Sequence, residues 1–291
     1  MADILPHLNS QRFLSVKYEQ LLITFATNIL LIPDNRQMWR FFLFLLYPLS
    51  TQTVSGSVIY IFFVNDMMSS VNSRRKGNNT MKLYIADKTC SEAIQIVAHQ
   101  LALKLELIHV DFASNTTSNG EDFRSVNPLF YVPALVTDER ETLTEGLVIL
   151  NWLADRYPEA GLAPVPGTMA RVNHDQLMTF IATEIQQRHV PLMRKLMTEE
   201  GKAWMSGKII AAYQLLDSRL ADGRSYLTGE QLTVADAYLW ATFWSERSGV
   251  DIYHLQHIQS WKKRMDMHPA VQQALQDEMD IVTHHRSLLS A

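Results

Sequence analysis

The sequence predicts an α/β domain followed by an all-helical domain, both beyond Met81. Three observations predict it. A strand–helix–strand pattern opens at Met81, and a strand–strand–helix pattern follows it to Tyr157. Gly161 to Gly167, with Pro164 and Pro166 inside, has the composition of a linker. Everything after Thr168 repeats its apolar residues at helical spacing and carries no strand signal. The chain therefore divides into an extension over residues 1–80, an α/β domain over 81–160 and a helical domain over 168–285.

Met81-Lys-Leu-Tyr-Ile85 reads as a short strand and Asp87 to Cys90 as a turn. Ser91 to Leu103 places Ile94, Val97, Ala98 and Leu101 at helical spacing. Leu105 to Phe112 returns to strand chemistry, which favours a parallel β-α-β unit. Asn115 to Gly120 reads as a polar loop, and Glu121 to Val126 as a short helical piece before Asn127-Pro128. Pro133 to Thr137 and Glu141 to Thr144 are strands turned by Asp138-Glu139-Arg140. Glu145 to Tyr157 is a helix with Leu147, Ile149, Leu150 and Leu153 inward, stopped before Pro158. In the helical domain, Thr233-Val-Ala-Asp236 is a capping box with a shorter acid, opening a helix that buries Ala237, Leu239, Trp240 and Phe243.

Composition narrows the function classes. A formal net charge of -4 gives no electrostatic case for nucleic acid as a partner. One cysteine cannot make an internal disulfide, so a reducing, cytoplasmic setting is expected. The charge is uneven: seven Lys/Arg against four Asp/Glu before Met81, nineteen against twenty-six from Met81 onward. Such an asymmetry marks two segments of different history. Residues 41–65 contain no charge, which raises an N-terminal membrane anchor as a weaker alternative. However, a spanning helix needs about 20 predominantly apolar residues. Pro48 and the polar run Ser50 to Ser57 would interrupt it at the midplane. The favoured expectation for residues 1–80 is an over-long gene model or disorder. Lys76-Gly77 requires codons AAR-GGN, a purine tract like a ribosome-binding site, shortly before Met81.

Four stretches carry a resemblance: MKLYIADKTCSEAIQIV, NPLFYVPALV, ETLTEGLVILNWLAD and YLTGEQLTVADAYLW. Together, in this order over about residues 81–280, they resemble the bacterial beta-class glutathione S-transferases. The resemblance implies a thioredoxin-like N-terminal domain, an all-helical glutathione-transferase C-terminal domain and a homodimer. It implies glutathione as co-substrate, and a small electrophile or a disulfide as the second substrate.

Cys90 is the candidate catalytic residue. It stands at a strand-to-helix turn, where the helix dipole is expected to favour the thiolate. By resemblance Cys90 contacts the glutathione sulfur. Pro133 is then a cis proline that exposes the Val132 backbone to glutathione, like an added strand. Glu145 and Gly146 begin a helix suited to the γ-glutamyl end, with helix amides for its carboxylate and the Glu145 side chain for its ammonium. Asn115, Thr179, Thr183 and Gln186 complete the candidate binding set. Without the resemblance, Cys90 reads equally as an inert buried thiol, Pro133 as a strand-entry proline and Glu145 as an ordinary helix-start acid.

Departures from the family pattern are visible. Leu129-Phe130-Tyr131 stands where members commonly have Lys-Gly-Gln, and Gln186-Gln187 where they have His-Lys. Glutamine hydrogen-bonds but is no general base near neutral pH. Asn115 replaces a lysine found in some members and Thr179 a common asparagine. Two catalytic readings therefore stand: conjugation of glutathione to an electrophile, or thiol–disulfide exchange through Cys90. The alternative of another class is a non-catalytic protein-interaction module on the same fold, like the stringent starvation proteins. No metal is expected: His254, His257, His284 and His285 lack a completing cysteine or carboxylate group. Lys262-Lys263-Arg264 reads as a solvated face.

Overall fold

The computed structural model describes residues 80–290, which lie within one compact unit spanning 76–291. The expectations for residues 1–80, including the anchor within 41–65, fall outside the described residues for all but Thr80. Among the described residues, no helix is long and apolar enough to cross a membrane.

The α/β part is built on a five-stranded sheet of order β3-β2-β1-β4-β5. Strand β1 (Met81–Ile85), helix α1 (Glu92–Gln100) and strand β2 (Leu105–Asp111) form the expected parallel unit, Met81 facing Leu105 and Ile85 facing His109. The loop expected over Asn115 to Gly120 instead contains a strand, β3 (Thr116–Thr117), antiparallel to Val110 and Asp111. Asn115 turns the chain at φ 57, a left-handed conformation that asparagine tolerates, and two β-branched threonines then pair. A two-residue strand has no periodicity to detect. Helix α2 (Phe123–Val126) is capped by Asp122, which accepts from the Arg124 amide at 3.0 Å. Strands β4 (Ala134–Val136) and β5 (Thr142–Thr144) are antiparallel, and β4 pairs antiparallel with β1. Helix α3 (Gly146–Arg156) closes this part.

Helix α1 is buried from Glu92 to Ala98, polar residues included. It is wedged between the sheet and helices that come later in the chain, and it meets solvent only at its last turn, at His99 and Gln100. Those later helices are α4 (Met169–Phe180), α5 (Gln187–Met193) and α6 (Glu199–Leu220), then α7 (Val234–Ala241), α8 (Ser245–Ser248), α9 (Gln256–Asp266) and α10 (Pro269–Leu289). A π-helical stretch, Ile181–Gln186, joins α4 to α5.

Helix α7 is the centre of the helical part: all eight of its residues are buried. Its capping box is present in both directions. Asp236 also accepts from the Leu227 amide at 2.8 Å and from the Trp261 indole at 3.0 Å, so one carboxylate ties together α7, its approach loop and α9. Fully burying a side chain as large as Leu or Phe contributes about 1.5–3 kcal/mol, and Trp261, Leu239 and Val234 are all fully buried here.

Two polar seams hold the helical part to the sheet. In the first, Arg171 of α4 forks onto Asp155 of α3 at 2.5 and 3.0 Å and reaches Asp175 at 2.9 Å. In the second, α10 lies along α1 and β2. Glu278 accepts from the Lys88 amide at 2.9 Å, Asp277 meets His99 at 2.9 Å, His285 meets buried His109 at 2.8 Å, and Arg286 meets Asp87 at 3.0 Å.

Candidate active site

Cys90 is placed by the turn after β1. Lys88 takes a left-handed φ of 59, and the Thr89 and Ser91 hydroxyls both bond to Ala86 O, at 2.8 and 3.3 Å. The helix start beside Cys90 is as expected, and the sulfur there is buried. Cys90 is only 7% exposed, and its Sγ donates to Val132 O at 3.7 Å. Burial pushes its pKa up to about 12, against its own amide and the Gln186 side chain, which favour the thiolate, while Glu145 and Glu92 oppose it further. Burial thus opposes the thiolate that the helix start favours. Removing a charge from water costs more here than one helix end returns.

The bond between Val132 and Pro133 is cis. Pairing of β4 with β1 begins at Ala134, facing Tyr84, so Val132 lies just past the end of the paired strand, where its carbonyl meets the Cys90 thiol. Glu145 is exposed and immediately precedes α3, with φ 64 and ψ 109. Such a backbone is costly for a residue with a Cβ, and residues of this kind concentrate at functional sites. Gly146 is buried against the same corner: a Cβ built on it would lie 3.6 Å from the Pro133 ring and 3.8 Å from the Tyr238 ring.

Gln186 completes the cluster. Its side chain lies against the Cys90 thiol, and its Oε1 accepts the hydroxyl of Tyr238. Tyr238 projects from α7 and is 4% exposed. Burial raises its pKa, and the negative charge that Cys90 or Glu145 can carry nearby raises it further. Cys90, Val132, Pro133, Glu145, Gly146, Gln186 and Tyr238 therefore share one corner. Sequence reasoning missed Tyr238. The signal was available: a tyrosine among the apolar residues of a buried helix needs a partner for its hydroxyl.

The other candidates lie on exposed surface. Asn115 is exposed at the turn between β2 and β3. Thr179 and Thr183 are exposed, the Thr183 hydroxyl donating to Thr179 O at 3.1 Å. They line a groove of about 490 Å³ with Val172, Asp175 and Phe180, a groove to which none of the Cys90 group contributes. In the departing Leu129-Phe130-Tyr131 segment, Leu129 and Tyr131 are exposed. Phe130 turns away into an aromatic cluster, its ring 5.5 Å from Phe123 and 5.7 Å from Phe112, under the Arg124 guanidinium at 4.6 Å. Buried Asn127 staples the segment, donating to Tyr131 O at 2.8 Å and accepting from the Leu129 amide at 3.1 Å.

Comparison with known proteins agrees with this arrangement. Residues 89–156 match the family described as glutathione S-transferase, N-terminal domain, and residues 200–245 the one described as glutathione S-transferase, C-terminal domain. The chain is 32% identical over 199 residues to glutathione S-transferase GstA of Escherichia coli O157:H7, covering 68% of this chain and 98% of the relative. A sphingomonad glutathione S-transferase solved in complex with glutathione matches at TM-score 0.64 and 35% identity. A bacterial beta-class glutathione S-transferase from Sphingomonas chungbukensis matches at 0.63 and 33%. Each structural match covers 68% of this chain and 98% of the other. A mixed sheet with a cis proline leading into β4, a cysteine at the first helix and an all-helical second part, matched along nearly the whole length of these relatives, place the chain in the glutathione S-transferase family.

Proposed function

We propose that the protein is a glutathione-dependent transferase that conjugates glutathione to an electrophile at the Cys90 corner. One observation carries this reading: Cys90, the cis Val132–Pro133 bond, Glu145 and Gln186 converge although they come from four separate stretches of sequence. Glutathione would lie along Val132, its γ-glutamyl carboxylate at the start of α3 and its ammonium at Glu145. Asn115, Thr179 and Thr183 are assigned to the outer wall, where the electrophile enters.

The burial of Cys90 favours conjugation over exchange. Exchange needs Cys90 itself as a thiolate, which burial opposes. A protonated Cys90 can instead donate to the glutathione sulfur, as can the Gln186 amide. Two donors on that sulfur stabilise its thiolate. The thiolate then forms the carbon–sulfur bond as the leaving group departs with its electron pair, and the thiol proton passes to water.

The test is calorimetric titration of glutathione on wild type and Cys90→Ala, with conjugation to a chlorodinitrobenzene probe. Saturable binding is expected in both, with conjugation reduced about 10- to 100-fold in the variant, the worth of a hydrogen bond to a charged group. Absence of saturable binding to wild type would discard the reading in favour of the interaction module. Full disulfide reduction by wild type, abolished in Cys90→Ala, would transfer it to exchange. A homodimer in the reducing cytoplasm completes the proposal. Exposed Phe112, Leu129 and Tyr131 around Phe130 supply apolar surface for a second copy, and sedimentation at micromolar concentration would measure it.

A further inference from the structure

We propose that Tyr238 is a positioning residue, whose hydroxyl fixes the Gln186 side chain with its carbonyl toward Tyr238 and its NH₂ toward the Cys90 sulfur. This deepens the glutathione reading, but its first consequence concerns Cys90 alone and needs no glutathione.

A primary amide has two chemically opposite ends. If Gln186 presented its oxygen to the sulfur, it would repel a thiolate; if it presents nitrogen, it donates to one. Nothing in the glutamine itself decides between these. Tyr238 decides it, because its hydroxyl bonds to Oε1 and because the phenol is enclosed in α7, 4% exposed. Burial keeps the phenol protonated and so able to donate, and the bond it makes is to the carbonyl end. The nitrogen end is then left for the sulfur beside which the side chain lies. Placement at the end of the π-helical stretch Ile181–Gln186 puts the glutamine at a local irregularity of the helix, a common position for functional side chains.

Other charges face the same sulfur: Glu145, and Glu92, which bonds to Glu278 and faces Arg247 and Lys262. They are unaltered in the variants below, so their contribution cancels in the comparison.

The chain has one cysteine, so alkylation by iodoacetamide reports Cys90 without ambiguity. Its rate, measured against pH in wild type, Tyr238→Phe, Gln186→Leu and the double variant, tests the inference. Each single variant is expected to slow alkylation at fixed pH by about threefold to tenfold, the net worth of one hydrogen bond, and to move the rate profile to higher pH. The double variant should be no slower than Gln186→Leu, because Tyr238 acts through Gln186. A merely structural role would do the reverse: loosening the corner would expose the sulfur and speed alkylation without moving the profile. An unchanged profile in Tyr238→Phe, or slowing that multiplies in the double variant, overturns the inference. Should Tyr238→Phe fail to fold, Gln186→Leu stands alone, and an unshifted profile there overturns it equally. Failure of wild type to bind glutathione in a parallel titration would remove the proposed function while leaving the alkylation result to decide this point.

Discussion

Phe130 shows how one residue holds two opposed contributions. Its φ of 59 is left-handed, at a cost of roughly 1–2 kcal/mol for a residue with a Cβ. Its ring meets Phe123, Phe112 and Arg124, contacts worth about 0.5–1.5 kcal/mol for each aromatic pair and about 0.5–1 kcal/mol for the cation. The packing outweighs the backbone cost, so Phe130→Gly should lower Tm by several degrees, at about 2–4 °C per kcal/mol for a chain of this size. Phe130→Ala should fall further, since it loses the ring and keeps the φ cost. Calorimetry that placed the glycine variant above wild type would show the backbone cost to be the larger. Cys90 carries the same lesson for legibility. Its place in the site could be read from the turn and the family motif, but the burial that opposes its ionisation could not. A helix start is visible in sequence, whereas enclosure by Val132, Gln186 and Tyr238 is assembled from residues 42, 96 and 148 positions away.

At the scale of elements, local chemistry was legible wherever an element signalled its own start. The capping box of α7 could be read from Thr233 and Asp236 because both halves lie within four residues. The further donors to Asp236, the Leu227 amide and the Trp261 indole, could not. Together they predict that Asp236→Ala destabilises far beyond the loss of a cap, which is about 1 kcal/mol. Several buried donors would be orphaned, at about 1–3 kcal/mol each. Urea unfolding should show a loss of at least 3 kcal/mol by that count; a loss of 1 kcal/mol would mean that Asp236 is only a cap. The candidate site divides on the same principle. Cys90, Pro133 and Glu145 each stand at the start or approach of an element along one sheet edge, and they converge. Thr179 and Thr183 join Gln186 in the candidate set through the family resemblance, and the π-helical stretch Ile181–Gln186 runs through that part of the chain. Gln186 reaches Cys90 while the threonines line a groove without it.

Across the whole molecule, stability depends on buried titratable groups, and these groups pull in opposite directions with pH. Buried His109, His174 and His189 have pKa values lowered from an ordinary 6.5 by burial, His189 to about 4. The folded chain then binds fewer protons than the unfolded one as pH falls. Their contribution is present above 6.5 and is lost on acidification through the depressed values. Glu92 and Glu278 are the opposite case. Burial, and for Glu92 the neighbouring Glu278 carboxylate, raises their pKa above an ordinary 4.5. The folded pair retains protons that the unfolded chain has released, so its contribution is complete below 4.5 and is lost as pH rises through the raised values. Arg247 and Lys262 near Glu92, and the Lys88 amide and Gln95 on Glu278, soften that loss without reversing it; Asp87 adds to it. Glu278→Gln separates the two limbs, because glutamine still accepts the Lys88 amide and donates to Glu92 but cannot ionise. Scanning calorimetry between pH 5 and pH 9 should find the variant no more stable than wild type at the acid end and several degrees more stable at the alkaline end, with the acid limb unchanged. A uniform drop at every pH would mean that Glu278 only packs α10 onto the Cys90 turn and shares no proton with Glu92.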